Sequence, residues 1–120
     1  MKLEGSLFTV IADNDRQSPN ERVYRIRLNP EHTIYKAHFP ELPITPGVIL
    51  VRIGVELLGR MLGRKVHLVG APNIKFTAPV YPEGGKELDY VIAGGDRQSQ
   101  ATILVKDSET IYSKQTLRYE

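Results

Sequence analysis

Two segments near the start of the chain alternate apolar with polar residues. In residues 3–12 and 22–28, β-branched, aromatic and aliphatic side chains recur at about every second position. This period of two is typical of strands with one buried face. Between the segments, Asp13-Asn14-Asp15 and Ser18-Pro19-Asn20 have the composition of turns. The sequence therefore predicts two opening strands joined by a turn region.

A long apolar segment in the middle of the chain predicts one helix over residues 46–62. Thr45 can cap free amides, Pro46 is tolerated at the first helical position, and Gly63 provides a stop. Seventeen residues would make a helix roughly 25 Å long. Because apolar residues cover most of its circumference, interrupted by Arg52, Glu56 and Arg60, we expect it to be largely enclosed.

Four further segments with strand-like composition follow this helix, over residues 66–76, 87–93, 100–106 and 110–118. Glycine pairs and an Asp-Ser pair separate them as turns. One long helix against a mainly antiparallel sheet of about six strands is an α+β architecture. Since 120 residues suit one core and no linker or repeat interrupts them, we expect a single domain over residues 1–120.

Composition and charge narrow the class of protein. Sixteen basic and fourteen acidic residues are interspersed, which argues against nucleic acid as the main partner. The chain has no cysteine, so a disulfide or a thiolate nucleophile is excluded. Its first residues do not resemble a secretory signal, and no segment reaches the roughly 20 apolar residues that span a bilayer. The expectation is a cytoplasmic protein with no membrane span.

The candidate chemistry lies in the proline-rich segment before the helix. His38 stands among Pro30, Pro40 and Pro43 within residues 29–45, which we predict to be mostly irregular. The first helical turn lacks internal acceptors, and Pro46 has no amide hydrogen, so the free donors begin with Gly47 and Val48. Such donors stabilise a developing oxyanion or thioester enolate, and a histidine titrates near neutral pH. A base and an electrophile site are therefore expected together.

Two motifs carry a resemblance to a known family. The segment His38-Phe39-Pro40, Pro43, Pro46-Gly47-Val48 is similar to the signature of the bacterial beta-hydroxyacyl-acyl-carrier-protein dehydratases. Residues 73–82, with Phe76, Thr77, Ala78 and Pro79-Val80, resemble a second strand motif of that family, and the likeness covers roughly residues 22–120.

The resemblance implies a hotdog fold, in which a sheet wraps a long central helix. It also implies a homodimer or a higher oligomer of dimers, and a 3-hydroxyacyl thioester carried on the phosphopantetheine arm of an acyl carrier protein. His38 would be the base, the amide of Gly47 or Val48 would bind the thioester oxygen, and the motif residues Phe39 and Pro46 would belong to the substrate site. No metal or redox cofactor is expected.

The chain departs from the family at Arg52. The family places its catalytic acid fourteen residues after the histidine, and arginine stands there in this chain. Arginine stays protonated and cannot relay a proton, so Glu56, one turn later, is the substitute acid that we predict, and a residue of a partner subunit is the second choice. Arg52 and Glu56 either line the substrate tunnel or, with Arg60, form a solvated stripe of ion pairs.

Simpler interpretations compete with several of these assignments. His38 could merely hold its loop, while His32 and His67 are expected to be ordinary loop or surface residues, and the three histidines predict no metal site. The basic residues Arg60, Arg64 and Lys65 could attract an acidic carrier protein or simply face the helix C-terminus. Two other functions remain open: acyl-thioester hydrolysis, and non-catalytic binding of an acyl thioester or a carrier protein.

Overall fold

The computed structural model describes residues 2–14, 21–37, 41–94 and 99–120. Within them, six strands and two helices follow one another along the chain. They are β1 (Phe8–Asn14), β2 (Glu21–Leu28), α1 (Ile34–Ala37), α2 (Gly47–Leu62), β3 (Leu68–Phe76), β4 (Glu87–Gly94), β5 (Gln100–Lys106) and β6 (Ile111–Tyr119).

All six strands form one antiparallel sheet in the order β1-β2-β4-β5-β6-β3. The sheet curves around α2, and the core lies between them. Gly54 in the middle of the helix lets the backbone approach the sheet closely, since a Cβ there would stand 2.9 Å from Cδ1 of Ile103 and 3.3 Å from Oε1 of Gln115. This is the α+β architecture that the sequence pattern predicted and the hotdog fold that the family resemblance implied.

The structure corrects the bounds of β1 and the start of α2, and it adds a short helix that was not predicted. The first strand begins at Phe8, because the residues before it form turns, and it continues through Asn14, where a turn was predicted. A short helix, α1, lies inside the segment predicted to be mostly irregular. The long helix begins at Gly47 rather than Pro46, and no side chain caps it.

Thr45 does not cap the helix because its hydroxyl has a different partner. It shares a 2.9 Å hydrogen bond with the hydroxyl of Tyr35, and both residues are buried. The predicted stop is confirmed, since Gly63 adopts a left-handed conformation with φ 72° and its amide bonds to the carbonyl of Gly59. A left-handed C-cap of this kind favours glycine.

The helix is less enclosed than its composition predicted. One face packs on the sheet and is buried, whereas the opposite face leaves Val48, Arg52 and Arg60 exposed. The reason is geometric, because the sheet of a single chain covers only one side of a helix. The open face forms one wall of a groove described below.

An acidic residue ties the β5–β6 turn to the start of β4. Oδ2 of Asp107 accepts hydrogen bonds from the hydroxyl of Tyr112 and, at 2.6 Å, from Nζ of Lys86. Its Oδ1 accepts the backbone amides of Glu109 at 2.8 Å and Thr110 at 2.7 Å. These donors, Lys86 first, hold the pKa of Asp107 well below its ordinary value.

We expect Asp107→Asn to lower the free energy of unfolding by about 1–2 kcal/mol at pH 7, because charge-assisted hydrogen bonds at a partly exposed site are lost. A carboxyl with a lowered folded pKa stabilises the fold above its unfolded pKa of about 3.9, and this contribution is lost as the pH falls below that value. Urea unfolding of the unmodified protein and of the variant should therefore show a difference in the free energy of unfolding at pH 7, and this difference should shrink below about pH 4. A difference independent of pH would contradict this role.

Candidate functional site

The two sequence motifs meet at the N-terminus of α2. The backbone amide of Thr45 donates to the carbonyl of Val80 over 2.8 Å. The ring of Phe76 lies directly on Gly47, where a Cβ atom would stand 2.7 Å from Cζ. Segments some thirty residues apart in sequence thus form one wall, and a side chain at position 47 would displace the ring of Phe76 from this position.

These segments line an open pocket of about 630 Å³ at the tip of the helix. Apolar and small residues dominate its lining: Ile44, Thr45, Gly47, Val48, Leu50, Phe76, Thr77, Ala78, Pro79 and Val80. A concave apolar site with few polar groups is typical of binding sites for small molecules.

The helix presents open hydrogen-bond donors beside this pocket. The first helical bonds are donated by Ile49 and Leu50 to the carbonyl of Pro46. The amides of Gly47 and Val48 precede them, and no acceptor faces these two amides within the described ranges. Val48 is 73% exposed. Together with the helix dipole, two such amides favour a partial negative charge on a ligand oxygen.

Two buried tyrosines form hydrogen bonds with residues at the start of α2. The hydroxyl of Tyr90 donates to the carbonyl of Leu50 over 3.0 Å, and Tyr35 holds Thr45. Burial raises the pKa of Tyr35 and raises that of Tyr90 well above its ordinary value. Both hydroxyls therefore stay protonated at neutral pH, and their hydrogen bonds hold the residues at the start of α2.

A groove of about 800 Å³ runs along the exposed face of α2 and adjoins the pocket at Val48. We call it the α2 groove. Its walls are the N-terminal residues, the open helix face and the segment that leads into β3: Lys2, Leu3, Glu4, Val48, Ile49, Val51, Arg52, Val55, Glu56, Gly59, Arg60, Arg64, Lys65, Val66, His67 and Leu68.

Glu56 connects the helix to the N-terminal segment. Its Oε2 accepts the amide of Leu3 over 2.7 Å, and its Oε1 accepts that of Glu4 over 3.0 Å. Arg60 completes the connection through a 2.7 Å ion pair with Glu4. Nε of Arg52 lies 3.8 Å from Oε2 of Glu56, one turn away on the helix. The predicted polar stripe is therefore a groove wall that holds the first residues of the chain.

The other predicted residues fall into two groups. His38 and Phe39 lie outside the described residues, whereas Pro46, Gly47 and Val48 form the start of α2 as described above. His32 accepts the amide of Ile34 with its Nδ1 over 3.1 Å, and His67 pairs through its backbone with Glu120. No group of three or more possible metal ligands occurs in the described part of the chain.

Sequence reasoning missed the contacts that assemble the pocket. Phe76 was identified as part of a motif, but its position on Gly47 joins two segments that no local pattern connects. The sequence around Tyr35 and Tyr90 did not indicate that their hydroxyls would bond to residues near the start of α2. Within the described residues, no helix combines the length and the apolar character that a membrane crossing requires.

Comparisons with known proteins identify the family of this chain. The sequence model of a family described as ApeI-like, ApeI dehydratase, matches residues 14–115. The 3-hydroxyacyl-acyl-carrier-protein dehydratase FabZ of Brucella abortus (strain S19) is 35% identical over 89 residues, which are 68% of this chain and 55% of that protein. The corresponding protein of Brucella ovis is 34% identical over 80 residues, 60% of this chain and 50% of that protein. The chain thus spans about half the length of the curated relatives it matches.

Two solved structures share the fold. The dehydratase heterocomplex ApeI:P from Xenorhabdus doucetiae aligns with a TM-score of 0.78 at 20% identity, covering 92% of this chain and 96% of that one. An uncharacterised protein from Erwinia carotovora subsp. atroseptica aligns with a TM-score of 0.73 at 19% identity, covering 95% and 96%. The resemblance to the hotdog dehydratases is confirmed, and the chain belongs to the ApeI-like dehydratase family.

Proposed function

We propose that the protein removes water from a 3-hydroxyacyl thioester carried on the phosphopantetheine arm of an acyl carrier protein. The observation that carries the proposal is the pocket at the tip of α2, where two family motifs converge beside the open amides of Gly47 and Val48. Curated relatives named as 3-hydroxyacyl-acyl-carrier-protein dehydratases support the substrate class.

In the proposed reaction, His38 removes a proton from the carbon next to the thioester carbonyl. The amide of Gly47 or Val48 donates to the carbonyl oxygen, where negative charge develops. The electron pair then forms the C2–C3 double bond as the C3–O bond breaks, and the leaving hydroxyl takes a proton and departs as water. A base, an oxyanion donor and an acid are sufficient for this elimination, so the reaction needs no metal or redox cofactor.

Glu56 is the proton donor that we propose for the leaving hydroxyl. Both of its oxygens accept backbone amides in this structure, so donation requires one of these two hydrogen bonds to open. A residue of a second subunit is the alternative source of the proton. The similar dehydratase from Xenorhabdus doucetiae is a heterocomplex, so such a subunit need not be a copy of this chain.

We propose that the protein forms a homodimer through β3. This strand is an edge of the sheet, and it exposes Leu68, Val69 and Phe76. An open edge strand with apolar side chains is suited to pairing with the same edge of a second copy. Sedimentation velocity at micromolar concentration tests the dimer, and a monomer would contradict it.

A second candidate function is acyl-thioester binding without catalysis. Two observations favour it: arginine occupies position 52, where the family has its acid, and the oxygens of Glu56 are engaged by the N-terminal backbone. Such a module would keep the pocket and bind the thioester without turnover.

Incubation of the purified protein with a 3-hydroxydecanoyl carrier-protein thioester separates these candidates. We expect the trans-2-enoyl thioester, detected by mass spectrometry as the loss of one water. Free acid would indicate hydrolysis, and binding without any product would indicate the non-catalytic module; either result contradicts the dehydratase proposal. Cell fractionation is the corresponding check on the expected cytoplasmic location.

A further inference from the structure

Glu56 is the most covered member of the polar stripe on the open face of α2. Its side chain is 13% exposed, whereas those of Arg52 and Arg60, one turn away on either side, are 46% and 42% exposed. Residues four positions apart share one face of a helix, so all three point toward the groove. The difference comes from the segment of residues 2–7, which lies over Glu56. We call this segment the N-terminal strap.

The strap is tied to α2 through both backbone and side-chain groups. The oxygens of Glu56 accept the amides of Leu3 and Glu4. The carboxylate of Glu4 also lies 2.7 Å from Nη1 of Arg60, and Arg52 forms a longer ion pair with Glu56 from the preceding turn. The side chain of Leu3 is buried, with 3% of its surface exposed. An ion pair and a buried apolar side chain therefore hold the strap in place.

The second half of the strap is fixed to the sheet independently of Glu56. The carbonyl of Ser6 accepts Nδ2 of Asn29 over 2.9 Å, and the carbonyl of Leu7 accepts the amide of Asn29 over 2.8 Å. Gly5 precedes them with a φ of 93°, a conformation that glycine adopts readily. The first half can thus open while the second stays bound. Opening also breaks the bonds that the carbonyl of Leu3 accepts from Ser6 and Leu7, so the closed strap is the main state.

We propose that the N-terminal strap is an autoinhibitory contact, which withholds the carboxyl group of Glu56 from the α2 groove while it is closed. The ion pair between Glu4 and Arg60 limits how often the strap opens. This inference deepens the proposed function and rests on it for one consequence, namely that an open strap makes Glu56 available as the proton donor. Glu4 and Arg60 are accordingly positioning residues, because they act on the reaction through Glu56.

Two measurements follow the strap without requiring turnover. Hydrogen exchange of the amides of Leu3 and Glu4, measured by NMR, reports how often their bonds to Glu56 open. Carbodiimide-coupled amidation with glycinamide, read by peptide mass spectrometry, reports how accessible the carboxyl group of Glu56 is. Both are carried out on the unmodified protein and on each variant.

We expect Glu4→Gln to raise the opening frequency and the amidation rate of Glu56 about two- to fivefold, because loss of one ion pair near the surface changes an equilibrium by about that factor. Leu3→Ala should raise both about tenfold or more, since it removes a buried apolar side chain from the strap. The matched control is Glu87→Gln, which breaks a 2.8 Å ion pair with Arg27 on the outer face of the sheet and should leave both rates unchanged.

The turnover of the 3-hydroxydecanoyl carrier-protein thioester should rise with the opening frequency in Glu4→Gln, with KM changing less than kcat, because opening precedes proton donation. Unchanged exchange and amidation in both strap variants would overturn the proposal. Faster amidation with an unchanged or lower kcat would overturn the inhibitory role. Absence of the enoyl product from every protein would contradict the proposed function instead, and the amidation rates would still decide whether the strap controls access to Glu56.

Discussion

Replacing His38 with alanine is expected to lower kcat for dehydration of a 3-hydroxyacyl carrier-protein thioester by about 100- to 10,000-fold. The α-proton of a thioester is weakly acidic, so the reaction needs a base that is unprotonated near neutral pH, and histidine is the side chain suited to this. The open amides of Gly47 and Val48 would still stabilise the enolate. KM is therefore expected to change less than kcat.

The matched control for this variant is His32→Asn. Nδ1 of His32 accepts the amide of Ile34 at the start of α1, and the side-chain oxygen of asparagine can replace that acceptor. Turnover of the control should stay within a few-fold of the unmodified protein. If His38→Ala kept full turnover while remaining folded, His38 would not be the base, and the proposed mechanism would fail at its first step.

Replacing Glu56 with glutamine is expected to reduce both turnover and stability. An amide cannot donate a proton to a leaving hydroxyl, so kcat should fall by about 100-fold or more. Glutamine also keeps only one acceptor oxygen, and its NH₂ group would face the amide of Leu3 or Glu4. A donor against a donor at a partly buried site should lower the free energy of unfolding by about 1–3 kcal/mol.

Measuring kcat and stability separately shows whether Glu56 donates a proton or only holds the N-terminal segment. Stability is read from urea unfolding, and kcat is measured at a temperature where the variant is fully folded. A loss of stability with unchanged kcat would show that Glu56 only holds the N-terminal segment, and the acid would then come from a second subunit. Glu87→Gln is the control, because Glu87 pairs with Arg27 on the outer sheet face and its loss should cost about 0–1 kcal/mol without affecting kcat.

The sequence alone predicted the elements of this fold well. A period of two identified the opening strands, and the apolar run with Gly63 behind it identified the long helix to within one residue at its start. These signals are local, because propensity and the alternation of buried and exposed faces act over neighbouring residues. The short helix α1 was missed because four residues give too little periodicity to detect.

Local sequence patterns did not predict hydrogen bonds between a side chain and a group outside its own element. Thr45 looked like a helix cap, but the hydroxyl of Tyr35 competes for it inside the core. The sequence left open whether Glu56 faces substrate or solvent, and it did not indicate that both oxygens of Glu56 accept amides more than fifty residues away. Hydrogen-bond geometry decides such choices, and it depends on where the whole sheet places each group.

By itself, the sequence determined the residues to which we assign chemistry: a histidine framed by prolines, a Pro-Gly helix start, and an arginine where the family has an acid. Only the tertiary structure decided what the helix start and Arg52 lie against. The strand order, with β3 next to β6, brings Phe76 onto Gly47 and leaves one side of α2 open as a basic groove. The identity of each residue is known from the chain, whereas long-range strand pairing decides which residues lie together in a binding site.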